Sequence, residues 1–572
     1  MPPRWLALLL VLLGIGCGSD QPVDDTADLD SALLVAGGGW KGWPAIEEEG
    51  WRRYSFWATG PLRLLVTGLE AGSGPLLRVR AGGELLELEL ALEGTPGQLE
   101  LGVPGAGPRP VELELLAGSE APPVGIRIME SEEPAPERSG LEGALLGHDL
   151  ILFVPDSLHA DHVGCYGYPR ETTPTLDRLA GEGVRFDLAY STTSWTLSSI
   201  TSLFLGLPQE RHGVLELWHR LGDWGTTLAE LFSRRGYRTV ALIQNGILHA
   251  GTGLDRGFQT YEIYEHDEAG FQEIQARARE VLAEEHEAPL FLYLHVEPPH
   301  QPYVPPEPYR SLFIDPGYEG EVDGSIVSSL EVQKAKLDPS HPDVQRLVDL
   351  YDGHLRYADD ALGELLFEGA GERQRPLSVL ATSDHGEAFL QHGAQGHNLH
   401  VYEEMVRVPL ILWTEDGSLP AGKVVPGPVS LIDVLPTLRE LFELGEPEHE
   451  VHGQSLLPGA ARPSAAPDGR PIFLSSRYQE ERTRLHYAVR SGDWKLLSHG
   501  GRFELFDLSR DPGEQVDRSA EQPAHARALR RLLSRWYDRA SEERPRPVPA
   551  SLPSQRIQDE LRNLGYIGDE ED

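Results

Sequence analysis

The sequence predicts an α/β fold, a mainly parallel sheet flanked by helices, with a small C-terminal antiparallel sheet and a separate N-terminal β-sandwich. Three observations carry that prediction. Continuous apolar runs, "LILFV" from Leu150 to Val154, then "PLFLYLHVE", "PLSVLATSDHGE" and "VPLILWT", read as strands buried on both faces, which is the habit of parallel sheets. Amphipathic helical segments stand between them, as in "TPTLDRLAGEGVRF" and "TTLAELFSRRGYRTVALIQN". On either side of this block the pattern changes to short runs split by Gly and Pro, the mark of antiparallel strands.

In order along the chain, the 572 residues are too many for one core and predict two or three domains. Residues 1–17 read as a signal: one Arg precedes an apolar run from Trp5 to Leu13 that is too short to span a bilayer. Its "GIGC" ending resembles a bacterial lipoprotein signal, with Cys17 lipidated, although Gly14 stands where that pattern prefers Leu. The expectation is a chain exported to the bacterial cell envelope and held to the membrane by lipid on Cys17. Residues 18–37, with "DDTADLD", form an acidic tether, and 38–130 form the β-sandwich, where "LRLLVTGLE", "LLRVRAGG" and "PVELELLAG" alternate with period two. Trp40, Trp43, Trp51 and Trp57 read as packing residues there, ahead of a glycan-binding role. The charge- and Pro-rich stretch 131–147 is a linker, 148–470 the α/β domain, and 471–572 a C-terminal subdomain and tail.

Formal charge is −40, and so acidic a surface excludes nucleic acid as a partner. An anionic substrate would need a local metal or arginine to hold it. Cys17 and Cys165 are the only cysteines, which argues against a structural disulfide within the mature chain and excludes a zinc finger.

The chemistry-bearing residues fall at strand ends. Asp156, His295 and Asp384 each close an apolar run, and ligands of α/β sheets bind beyond the carboxyl ends of the strands. Asp384 and His385, side by side in "SDHGE", suit a divalent metal, and a further carboxylate from another strand would add to the site. Such an ion can lower the pKa of a bound hydroxyl. The segment "STTSWTLSSITS", Ser191 to Ser202, is crowded with hydroxyls, which taken alone would only cap the following helix.

In these and other segments the chain resembles the sulfatase family of the alkaline phosphatase superfamily. The matching pieces are "ILFVPDSLHADHVGCYGYPRETTPTLDRLAGEGVRF", "TLAELFSRRGYRTVALIQN", "LDRGFQTY", "FLYLHVEPPHQPY", "SDHGEAFLQHGAQGHNLHVYEEMVRVPLIL" and "AVRSGDWKLL…FELFDLSRDPGE", with the closing "LRNLGYIG". The resemblance runs from about His148 to Gly568 and implies an alkaline phosphatase/sulfatase-like fold.

The resemblance also implies roles. Asp156 matches the first metal-binding Asp, while Ser157 stands where many sulfatases have a second. The later metal pair, Asp-Asn in calcium-holding sulfatases, is Asp384-His385 here, which moves the expected ion to zinc or manganese, with calcium the remaining candidate. The segment "TLSSITSLFLG" places Thr196 at the nucleophile position, with Ser198 replacing the motif proline and Ile200 its arginine. Threonine cannot become formylglycine, so that cofactor is not expected; a Thr nucleophile resembles that of related phosphodiesterases and phosphoethanolamine transferases. Ser194 and Ser198 are the fallback hydroxyls. Cleft histidines of the family hold ester oxygens or act as general acid, and a neutral one could also join a second metal; of His295, His300, His392 and His397 the choices are His295 and His397. Asn245 falls near a cleft Lys of the family.

The resulting expectation is a metal-dependent ester hydrolase with Asp156, Asp384, His385 and Thr196 on one ion. It would act on sulfate or, on chemical grounds, phosphate mono- or diesters. The alternative is a degenerate, non-catalytic surface lipoprotein of the same fold that binds envelope or glycan material.

Overall fold

The computed structural model describes strand segments between Ile46 and Glu130, and residues 139–368, 374–461, 470–477, 485–542, 545 and 547–563. The signal, Cys17, the acidic tether, Trp40 and Trp43 lie outside the described residues. The chain divides into two compact units, one ending at Glu137, the other made of Arg138–Ala466 with Ile472–Asp572.

In the first unit, eight antiparallel strands between Ile46 and Glu130 pair into a five-stranded and a three-stranded sheet. The alternating runs in the sequence supply these strands, including Trp51–Ala58 paired along its length with Arg109–Leu116.

The second unit is built on a nine-stranded sheet. Its strands are β1 (Asp149–Pro155), β2 (Val184–Tyr190), β3 (Arg238–Ile243), β4 (Thr260–Ile263), β5 (Leu290–Val296), β6 (Leu377–Thr382), β7 (Arg407–Val408), β8 (Leu410–Thr414) and β9 (Lys423–Ser430). The order is β4-β3-β5-β1-β6-β8-β2-β7, with β9 pairing β2. The five strands β4, β3, β5, β1 and β6 run mutually parallel. The continuous apolar runs follow from this placement. Leu150, Leu152 and Val154 of β1 enter one core layer, and Ile151 and Phe153 enter the other. Burying each such side chain contributes about 1.5–3 kcal/mol.

Two details depart from the sequence reading. The run "LILWT", taken as one more strand of the same kind, forms β8, which is antiparallel to both β6 and β2. The chain reaches it from the carboxyl end of β6 through the loop after Asp384, with no crossover helix to return it to the other edge. The linker also ends early. Leu145 is fully buried, and the backbone N–H groups of Gly143 and Leu145 donate to the carbonyls of Glu440 and Leu441 at 2.9 and 3.0 Å. The apolar "LEGALLG" that follows the charged stretch is therefore part of the second unit's core.

Helices α1 (Pro174–Glu182), α2 (Thr196–Leu205), α3 (Leu228–Arg234), α4 (Glu268–Ala283) and α5 (Pro342–Gly363) lie in this unit. A four-stranded antiparallel sheet from Ile472 to Asp507 follows, and then a helix from Pro523 to Glu542. Among the described residues, no helix is long and apolar enough to cross a membrane.

Candidate active site

Parallel strands deliver their carboxyl ends to one edge of the sheet, and that is where the charged groups collect. Asp156 follows β1, His295 lies at the end of β5, and Asp384 and His385 follow β6. All four are fully buried. One ligand atom each from Asp156, His295 and Asp384 lie within 4.8 Å of one another. Buried carboxylates at this spacing need a compensating positive charge.

The turn after β1 sets the geometry. Ser157 has φ 63°, a left-handed conformation that costs a non-glycine residue of order 1 kcal/mol or more unless its surroundings enforce it. Here they do. Its N–H donates to Asp384 Oδ1 at 3.1 Å, its hydroxyl to Asp156 Oδ1 at 3.0 Å, and its carbonyl accepts from the Tyr351 hydroxyl at 2.7 Å. Ser157 thus ties the two aspartates together.

Asp384 is held by one oxygen and Asp156 by both. Asp384 Oδ1 accepts from the N–H groups of Ser157 and His385, while Asp384 Oδ2 is buried and makes no hydrogen bond. Asp156 Oδ2 accepts from Asn245 Nδ2 at 2.7 Å and lies 3.2 Å from His295 Nε2. Burial works against the charge on Asp156, but His300, His295 and His385 outweigh it and hold the carboxyl well below its ordinary range.

His385 faces both. Its Nδ1 lies 2.9 Å from the Gly386 carbonyl, an acceptor, so Nδ1 carries the proton and Nε2 points its lone pair into the site. Nε2 lies 3.7 Å from Asp156 Oδ1, 3.4 Å from Asp384 Oδ2 and 3.3 Å from Thr196 Oγ1. Burial lowers the pKa of His385, yet Asp384 and Asp156 raise it overall. The field that favours a proton there would equally favour a cation. The unbonded Asp384 oxygen and the convergent nitrogen and oxygen donors fit a divalent cation.

Thr196 is the first residue of α2, all ten of whose residues are buried and which ends at Gly206 in the left-handed conformation that glycine accepts most readily. The crowd of hydroxyls is explained by this burial, because buried hydroxyls need partners. Ser191 and Ser199 pair at 2.9 Å, Thr192 donates to Ser202, and Thr201 donates to the Leu197 carbonyl. The fallback hydroxyls are similarly engaged: Ser194 with Ser476 at 3.0 Å, and Ser198 with the Val214 carbonyl. Thr196 instead directs its hydroxyl to His385, from a helix N-terminus that favours negative charge. Ile200, at the motif arginine's position, is a core residue.

His397 stacks on His385 with ring centres 4.5 Å apart, and its Nδ1 lies 3.3 Å from Glu387 Oε1. Burial, then His385, pushes its pKa down to about 3, so the ring is neutral. His300 stands next, 4.8 Å from His397. His392 is not part of the group: it pairs with Glu404 at 2.7 Å and stacks on Tyr402. Sequence reasoning missed Glu297, Gln244, His266 and His354. Glu297 closes the apolar run of β5 just as Asp156 closes that of β1, and this signal was open to reading.

The family described as Sulfatase matches residues 148–444, and the one described as N-sulphoglucosamine sulphohydrolase, C-terminal, matches 393–540. The chain is 25% identical over 417 residues to an uncharacterized sulfatase, YidJ, of Escherichia coli (strain K12), covering 64% of this chain and 82% of that protein. It is 22% identical over 455 residues to an arylsulfatase of Clostridium perfringens, covering 67% and 93%. Among solved structures, the phosphonate monoester hydrolase of Agrobacterium radiobacter superposes with a TM-score of 0.57 at 19% identity, covering 71% of this chain and all of that one.

Proposed function

The chain belongs to the sulfatase family of hydrolases, and from that premise we propose that it cleaves phosphate mono- or diesters, with Thr196 as nucleophile, at the bacterial cell envelope. The observation that carries the reading is the placement of Thr196 Oγ1, at a helix N-terminus and 3.3 Å from His385 Nε2, beside Asp156 and Asp384. Asp156, Asp384, His385 and Thr196 would hold the ion, zinc or manganese ahead of calcium. When bound, it supplies a Lewis acid that lowers the pKa of the Thr196 hydroxyl and draws charge from an ester oxygen.

The chain's own groups then have defined tasks. Thr196 Oγ forms a bond to phosphorus, the ester P–O bond breaks, and the alcohol leaves with a proton. Water cleaves the phosphothreonine and restores the hydroxyl. His295 is held between the Tyr293 hydroxyl, 2.8 Å from its Nδ1, and Asp156, 3.2 Å from its Nε2, and steadies that carboxylate, while His397 is neutral and offers a ring nitrogen to an ester oxygen. Phosphate is preferred to sulfate because a sulfated threonine lacks the hemiacetal escape that formylglycine provides. The neutral Asn245 and Ile200, where sulfatases carry Lys and Arg, leave the site with less fixed positive charge. A lipid on Cys17 would tether the enzyme to the membrane.

The test uses the full chain with aryl sulfate, aryl phosphate and bis-aryl phosphate, each with zinc, manganese or calcium. The expected result is metal-dependent turnover of a phosphoester that Thr196→Ala reduces by at least ~10³-fold, as loss of a nucleophile does. Turnover of the sulfate alone refutes the phosphoester assignment. Inactivity on all three substrates with no bound metal favours the non-catalytic alternative.

A further inference from the structure

The last long helix carries charge of the opposite sign to the rest of the chain. Helix α6 (Pro523–Glu542) has five arginines, Arg527, Arg530, Arg531, Arg535 and Arg539, against Asp538 and Glu542, in a chain of net charge −40. Arg527, Arg531, Arg535 and Arg539 recur every fourth residue, which places them in one stripe along the helix. At about 1.5 Å of rise per residue, these positions stand about 6 Å apart and span about 18 Å. All five arginines are exposed. Arg531 and Arg535 also have contacts within the chain, but a guanidinium has five donors, so such contacts leave others for an anion.

The opposite face of α6 is taken up by the fold. Leu529, Leu533 and Ala540 are buried, Trp536 stacks on Phe473 with ring centres 4.7 Å apart, and Tyr537 meets Tyr487 edge-on at 4.9 Å. Phe473 belongs to the strand Ile472–Arg477, whose Ser475 N–H donates to the Thr192 carbonyl at 3.0 Å and whose Ser476 pairs with Ser194 at 3.0 Å. Helix α6 is thereby fixed to the strand that touches the segment presenting Thr196. The same contacts narrow what the outer face can bind. Among the described residues, none of the exposed large apolar side chains lies on α6, so it has no wedge for a bilayer. Its two aromatic rings are engaged, which leaves no platform on which bases would stack. A regular row of cations without either device suits a linear polyanion recognised by charge. The negative charge elsewhere on the chain is screened beyond about 8 Å at physiological ionic strength.

We propose that the arginine face of α6 binds a linear phosphate-bearing polymer, the carrier of the ester that the active site cleaves. The choice of phosphate rests on the phosphoester reading above; the binding itself does not. A guanidinium meets phosphate oxygens through paired N–H donors, and the even step between arginines lets them engage successive groups of one extended chain. Helix α6 acts on capture of the polymer and takes no part in bond breaking.

The experiment measures binding of end-labelled inorganic polyphosphate to the full Thr196→Ala chain by fluorescence anisotropy, from about 50 to 200 mM salt. With four arginines neutralising phosphates at a slope of about −0.7 each, log affinity should fall with log salt at a slope of about −3, or ~50-fold across that range. Adding Arg527→Gln, Arg531→Gln and Arg535→Gln, which keep good helix formers, should weaken binding at least ~10-fold at low salt and bring the slope to about −1 or shallower. The same three substitutions in the wild-type chain should leave aryl phosphate turnover unchanged. A slope of about −1 or shallower with the arginines in place, or equal affinity with and without them, overturns the proposal. Tighter binding of a sulfated polysaccharide, single-stranded DNA or vesicles of anionic phospholipid than of polyphosphate also overturns it. Binding needs no turnover, so failure of the phosphoester reading shows as missing aryl phosphate hydrolysis by wild type, and failure of this inference shows as missing polymer binding.

Discussion

Replacing Asn245 with alanine tests how the candidate site holds its ion. Asn245 Nδ2 donates to Asp156 Oδ2 at 2.7 Å, and Asp156 is fully buried. A hydrogen bond to a charged acceptor contributes about 1.5–3 kcal/mol, and removing the donor leaves that oxygen underpartnered in a site without solvent. At about 1.4 kcal/mol per factor of ten, ion affinity should fall ~10- to 100-fold, the range seen for groups that orient metal ligands. Asn245 Oδ1 also accepts the Ile247 N–H at 2.9 Å, which acts on the stability of the short helical turn from Gly246 to Leu248 and not on the ion. The assay is competition between the folded variant and a chromophoric chelator for zinc, with wild type measured alongside. An affinity within about a factor of two of wild type would refute the reasoning, because it would mean that the Asn245 contact does not orient Asp156 toward a cation.

Two further predictions concern buried charge away from the reacting groups. Lys495 is fully buried, 2.9 Å from Glu403 and 3.0 Å from Glu514, and Tyr190 of β2 donates to Glu403 at 2.7 Å, so this ion cluster fastens the C-terminal sheet to the central one. Lys495→Met should cost about 3–5 kcal/mol, read as a lowered Tm and earlier proteolysis of the C-terminal sheet; an unchanged Tm would contradict it. Asp359 of α5 accepts the N–H groups of Thr175 and Leu176 at 2.7 and 2.9 Å, yet burial raises its pKa to about 7, above the ordinary carboxylate value of 3.8. The folded state therefore binds this proton more tightly than the unfolded state, and the stability it gives is lost as pH rises from about 4 through 7. Between pH 5 and 8 wild type should lose about 2–3 kcal/mol relative to Asp359→Asn, seen as a falling Tm difference; a difference independent of pH would contradict the assignment.

The sequence made the strand-end residues legible because parallel strands bring their carboxyl ends to one edge whatever their order in the chain. Asp156, Asp384 and His385 were found in this way. The direction of β8 was not legible: a short apolar run reports burial on both faces and says nothing of polarity, which here is set by a connection without a crossover. Hydroxyls in "STTSWTLSSITS" could not be told apart by composition, since capping, pairing and nucleophilic roles use the same residue types. Only placement shows that Ser191, Ser194, Ser198, Ser199 and Ser202 are engaged in internal hydrogen bonds while Thr196 faces His385. His266 and Gln244 were out of reach for another reason. Their meaning lies in contacts with residues tens of positions away, and neither carries a local motif.

The central claim is that Thr196 takes the transferred group. It is tested most directly by mixing the zinc- or manganese-loaded full chain with an aryl phosphate, quenching in acid within the first turnovers, and mapping the peptides by accurate mass. The account predicts a phosphoryl adduct on the peptide carrying Thr196, absent in Thr196→Ala. An adduct on another side chain, or sustained turnover by Thr196→Ala, would contradict it.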